Sequence, residues 1–338
     1  MQWLHQHGAN TEPAMGYPRA RLVDFKSPGY YHCISRCVRR GFLCGDHYEH
    51  RRQWIEQRLA ELLEVFAIDA CGYSVMSNHF HMVIKTNPHA SRKWTPQEVV
   101  RRWVRLFPKG LQRAKRAAST LAEAERIEKE YLERLATRRD WIVRWRDRLA
   151  SISWFNKLLK EPIARRANRE DGCTGHFWEG RFKSIRLLDK AAVLACMVYV
   201  DLNPLRARMV KALKDSAFTS ILQRLKVIRS TTRKKRQGTR ATQTSRTTVV
   251  LLPIDTLFRM TTRDYVSLVA TTGGVPIDQR HHSSRLAALG IDSERWSSTL
   301  TKAIRWFGTA VGGEVDLLKE AQRRQAHRVI NPLKIYRQ

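Results

Sequence analysis

Ser74-Val75-Met76-Ser77-Asn78-His79-Phe80-His81-Met82-Val83-Ile84-Lys85 reads as the end of one strand, a polar Ser77-Asn78 turn, and a second strand that opens with paired histidines. Side chains two apart on an extended strand share a face, so His79 and His81 project together while Phe80, Met82 and Ile84 point into a core. Two imidazoles on one face can hold a divalent metal, although the same spacing also occurs on ordinary strands with no ligand.

Upstream, Tyr30 to Val38 reads as a strand. Glu49 to Phe66 follows as an amphipathic helix, with Trp54, Ile55, Leu59, Leu62, Leu63 and Phe66 at three-to-four spacing. Ile68 to Met76 and His79 to Lys85 complete a strand, helix, strand, strand order, the first half of a ferredoxin-like fold. The expected class is therefore α+β, an antiparallel sheet with helices on one face. Downstream, the apolar stretch Ala191 to Val200 reads as a helix begun near Asp189 and ended by Pro204. Tyr199 and Asn203 are i and i+4 there, so a phenol and an amide stack on one face. Were that face to meet the histidines, the Asn203 amide would complete a three-ligand site beside Tyr199.

Met76-Ser77-Asn78-His79-Phe80-His81, with Tyr199 four residues before Asn203-Pro204-Leu205-Arg206-Ala207, resembles the HUH single-tyrosine transposases, and among them the REP-associated tyrosine transposases of bacteria. Tyr31-His32-Cys33-Ile34-Ser35-Arg36, Gly41-Phe42-Leu43-Cys44-Gly45 and Phe177-Trp178-Glu179-Gly180-Arg181-Phe182-Lys183-Ser184 agree in order and spacing. The resemblance covers residues 24 to 90 and 173 to 210. It implies an HUH catalytic domain over 24–210, interrupted by a helical insertion at about 90–172. It also implies metal-dependent nicking and strand transfer on single-stranded or hairpin DNA, either a palindromic repeat or a transposon end. Tyr199 would be the nucleophile, forming a covalent 5′-phosphotyrosine. His79, His81 and Asn203 would hold Mg²⁺ or Mn²⁺, and Arg36, Arg181, Lys183 and Arg206 would contact DNA. No nucleotide cofactor is implied. A homodimer exchanging the tyrosine helix occurs in the wider superfamily and stays open here, as does the general base.

Composition points the same way. Among 338 residues, 62 Lys and Arg face 31 Asp and Glu, a net charge of +31. Such an excess favours a polyanionic partner, nucleic acid before an anionic membrane surface. The N-terminal stretch is mixed and polar, and the longest apolar run is about half of what spans a bilayer. A cytoplasmic, nucleoid-associated protein with no membrane partner is expected. Cys33, Cys37, Cys44, Cys71, Cys173 and Cys196 include no Cys-x-x-Cys pair and read as small core residues.

From Ala90 to Gly172, 22 Lys and Arg stand against 11 Asp and Glu. Gln97 to Phe107 reads as one helix and Leu121 to Ile152 as another, close to a heptad register. This basic arm is either a solvated structural face or a grip on the sugar-phosphate backbone. Residues 1–23 read as a leader, 211–248 as a basic linker whose low-complexity part from Arg229 to Thr248 is mobile, and 249–338 as a C-terminal helical accessory domain with helices at Asp264 to Ala270 and Ser293 to Val311. The rival function is a domesticated, non-catalytic DNA- or RNA-binding protein using the same basic surface.

Overall fold

The computed structural model describes residues 22–237, 248–274, 280–302 and 309–325. They form a mixed α+β fold around a five-stranded sheet. β1 (Gly29–Arg36), β2 (Ile68–Val75), β3 (His79–Thr86), β4 (Lys183–Leu187) and β5 (Ala310–Val311) lie in the order β2-β3-β1-β4-β5. The first four pair antiparallel, and β5 joins β4 in parallel.

Register decides what each face carries. Arg36 pairs with His79, Ile34 with His81 and His32 with Val83. Tyr30, His32, Ile34 and Arg36 therefore share a face with His79, His81 and Val83, while Tyr31 and Cys33 lie with Phe80, Met82 and Ile84 on the other. Central strands that are apolar on both sides need cover on both sides. That is why helices pack on both faces of this sheet and not on one, as the sequence reading had it.

On the Phe80 face, α1 (His50–Leu63) packs Ile55, Leu59 and Leu62 into the core. Residues 90–172 join the same core through α2 (Pro96–Leu106), α3 (Leu121–Ala136), α4 (Arg139–Leu149) and α5 (Ile152–Glu170). The expected helix from Leu121 to Ile152 is thus two helices, broken at Thr137-Arg138. A further stop at Ala150 precedes α5, whose N-terminus Ser151 caps by accepting from the Trp154 N–H. Trp103 stacks on Trp145 with centroids 5.2 Å apart, and Arg148 lies 4.4 Å over Trp154. The arm's indoles are engaged in packing with one another and with arginines.

On the histidine face lies α6 (Lys190–Asp201), every residue from Ala191 to Asp201 buried. Helices α7 (Ser220–Gln237), α8 (Thr262–Thr272) and α9 (Ser293–Lys302) follow it, and Tyr265, Leu268, Trp296 and Leu300 share one core with α6. α7 runs through much of the stretch expected to be a mobile linker, because Lys, Arg and Gln are good helix formers once packed residues nucleate the helix. Residues 238–247 lie outside the described residues, as do 1–21 of the expected leader. Val311, expected at the end of a helix, stands in β5. Among the described residues, no helix is long and apolar enough to cross a membrane.

Candidate active site

Three elements meet on the histidine face. β3 brings His79 and His81, β1 brings His32 and Arg36, and α6 with the single turn Asn203–Arg206 brings Tyr199, Asn203 and Arg206. The Tyr199 ring lies 5.8 Å from that of His81 and 6.2 Å from that of His32, edge-on to both. The His79 and His81 rings are 4.8 Å apart. The Arg206 guanidinium sits 5.7 Å over the Tyr199 ring. Pro204 opens a further turn after Leu202, so Asn203 follows Tyr199 at nearly continuous helical spacing.

Hydrogen bonds fix the imidazoles. His81 Nδ1 is 2.8 Å from His32 Nε2, and the buried His81 Nε2 has no hydrogen-bond partner among the described residues. The Asn78 Oδ1 lies 2.5 Å from His79 Nδ1 and accepts its proton, which leaves the His79 Nε2 with its lone pair. Burial pushes His79 down to about 4, with Arg36 adding to the fall, and His32 down to about 3, with His79 adding. Burial likewise holds His81 well below the usual imidazole range, helped by His32, His79 and Arg36. All three rings are neutral at pH 7, the form that ligates metals.

Tyr199 is buried, 8% exposed, on the same face as the histidines. That burial raises its phenol, as does Cys196 nearby, while Arg206 and Arg36 pull the other way. The helix carrying it is pinned within the chain. Asp201, the second residue after Tyr199, accepts from Ser220 Oγ at 2.5 Å and from the Tyr265 hydroxyl at 2.6 Å. Ser220 Oγ also accepts from the Tyr73 N–H of β2 at 3.0 Å, and Arg224 donates to the Cys71 carbonyl.

The donor set suits a divalent ion. Two neutral imidazoles and a carboxamide are ordinary ligands for Mn²⁺ and acceptable ones for Mg²⁺. Among the described residues His81 Nε2 is a buried polar atom without a hydrogen-bond partner, so that lone-pair position is not committed to the fold. Among the described residues, no group of three or more His, Cys, Asp and Glu side chains could hold a metal.

The remaining expected residues fall nearby. Arg36 pairs with His79 across the sheet. Lys183 pairs with Ile34 and so belongs to the histidine face, exposed at the start of β4. Arg181 is exposed on the loop whose Phe177 and Glu179 bond back to Val38 and Arg36, and among the described residues no hydrogen bond or ion pair brings it to the histidines or Tyr199. His32 is the site residue that the sequence reading missed. Alternation along Tyr30, His32, Ile34 and Arg36 carries the signal, but it becomes legible only once β1 is registered against β3.

No family model and no curated protein matches this chain. Among solved structures it is similar to one described as "Structure of the REP associates tyrosine transposase bound to a REP hairpin", with 11% identity, a TM-score of 0.29, and coverage of 66% of this chain and 93% of that one. So faint a likeness bears no weight on function, which rests on the side chains that meet above the sheet.

Proposed function

We propose that this protein nicks single-stranded or hairpin DNA and transfers the strand through a covalent phosphotyrosine, as a single-tyrosine HUH transposase does. The observation that carries the reading is the meeting of the Tyr199 ring with His81, 5.8 Å away, beside the neighbouring His79. The antiparallel order of the first four strands supports the ferredoxin-like core on which such sites are built.

The chain's own residues account for most of the chemistry. A free phenol has a pKa near 10, so about a thousandth is ionised at neutral pH. Burial makes that fraction smaller still in the free protein, and Arg206 and Arg36 are the cations placed to offset it. The Tyr199 oxygen attacks phosphorus in line as its proton departs. The bond to the 3′ oxygen breaks, and a free 3′-hydroxyl is left beside a 5′-phosphotyrosine. His79, His81 and Asn203 would hold a divalent ion, which when bound would offset charge developing on the scissile phosphate. His32 orients His81 through the imidazole hydrogen bond. Because the phosphodiester energy stays in the tyrosine ester, a second 3′-hydroxyl can reverse the step without ATP.

A labelled single-stranded hairpin with excess Mn²⁺ should give a protein–DNA adduct that survives denaturation. Tyr199→Phe should abolish the adduct and keep binding. The rival reading, binding without catalysis, draws on the low exposure of the phenol and predicts no adduct from either protein.

A further inference from the structure

Gly41-Phe42-Leu43-Cys44-Gly45 belongs to a loop that the proposed chemistry leaves without a task. The loop leaves β1 at Arg36, the partner of His79, and both of its ends are tied to the turn that precedes His79. Cys37 N–H donates to the Asn78 carbonyl at 2.8 Å, and Cys44 N–H donates to that of Ser77 at 2.8 Å. The Asn78 Nδ2 donates to the Arg40 carbonyl at 3.1 Å, while its Oδ1 holds His79. Gly45 presses so close that a Cβ there would stand 2.6 Å from the Ser77 Cβ. Ser77 in turn touches the sulfur of Met209, just after Arg206.

The loop is therefore well held at its ends, yet its tip is turned outward. Cys37 and Cys44 are buried, whereas Phe42 is 62% exposed, the most exposed large aromatic among the described residues. Arg39 and Arg40 stand at φ 52° and 56°, two consecutive non-glycine residues in the left-handed region. Such conformations are unfavourable for residues with a Cβ and persist where the surroundings hold them. A phenyl ring left largely in water contributes little burial to the fold and leaves its face open to a ligand.

We propose that Phe42 is a stacking platform for an unpaired base of the bound strand, with Arg39 and Arg40 holding the adjoining phosphates. This rests on the DNA-nicking reading above and gives it a place where single-stranded nucleic acid is gripped. The hydrogen bonds to Ser77 and Asn78 set this loop directly beside the turn that opens into His79, so a strand bound at His79 has the loop as its neighbour. Base–aromatic stacking tolerates any sequence, because every base has a π-face, and it requires an unpaired strand.

The test uses the full chain carrying Tyr199→Phe, so that binding is read without cleavage, and a dT12 oligonucleotide with one 2-aminopurine at successive positions. At least one position should be quenched on binding. Phe42→Ala should remove that quench and weaken binding about tenfold, with the salt slope unchanged. Phe42→Trp should restore both, and Phe42→Leu should behave like alanine. Arg39→Ala and Arg40→Ala should each lower the slope of log affinity against log salt by about 0.7. Binding and quenching that survive Phe42→Ala, or are restored by leucine, overturn the platform. Adduct formation with Tyr199 intact is scored separately, so loss of the nuclease reading and loss of the platform are told apart.

Discussion

His32 Nε2 and His81 Nδ1 lie 2.8 Å apart at the centre of the sheet, with both residues buried and the Tyr199 ring edge-on to each. One ring must donate and the other accept, so the pair fixes its own tautomers. Removing such a partner costs about 10–100-fold in metal affinity where it has been probed in other proteins. His32→Ala should weaken Mn²⁺ binding by that order, read by titration calorimetry, while Tyr199 keeps its place. Unchanged affinity would mean that His81 does not ligate through Nε2.

Asp201 couples the tyrosine helix to α7 and α8. Tyr265→Phe removes one hydrogen bond to a buried carboxylate and should destabilise the fold by about 1–3 kcal/mol in denaturant unfolding. The loss should fall on the same chain's site, because Ser220 and Tyr265 grip Asp201 in cis. Size-exclusion of the wild type and mixing of Tyr199→Phe with His81→Ala chains give the functional check. A cis site predicts no activity from the mixture, whereas an exchanged helix predicts recovery.

The histidines make stability depend on pH in a definite direction. A buried imidazole binds its proton less tightly in the folded chain than in the unfolded one, where the value is near 6.5. Its contribution is full above about 6.5 and is lost as pH falls through the folded value, about 4 for His79. Unfolding free energy should therefore decline between pH 6.5 and 4, steepening as further buried rings share the deficit. Ligand function by unperturbed imidazoles would already fail below about pH 6, so activity persisting near pH 5 also separates the two cases.

Gly45 meets Ser77 too closely for any side chain. Gly45→Ala should cost about 1–3 kcal/mol through overpacking, measured by thermal or denaturant unfolding. Ser77→Gly in the same chain should return most of it. Failure of that rescue would place the strain elsewhere in the loop.

The parts that sequence made legible are those where local period reports environment. Alternation along β3 places His79 and His81 opposite Phe80, Met82 and Ile84, and helical spacing places Asn203 one turn after Tyr199. The ends of β1, β2, β3 and α1 fall within a few residues of their expected positions because apolar patterning stops where burial stops. Strand register is not legible in the sequence, so nothing local in Tyr31-His32-Cys33 marks His32 as the partner of His81. Neither is the second helical layer, since α6 is apolar all round and shows no face to a pattern search. The parallel pairing of Val311 with Leu187 joins residues too far apart in the chain for any local signal.

The claim that Tyr199 forms a bond to DNA is tested most directly by mass spectrometry of the protein after incubation with a single-stranded hairpin and Mn²⁺. Covalent catalysis by Tyr199 predicts a tryptic peptide carrying a nucleotide phosphate on that residue, absent from Tyr199→Phe and from reactions with excess chelator. Cleaved DNA with an unmodified Tyr199, or cleavage that persists in Tyr199→Phe, would contradict it.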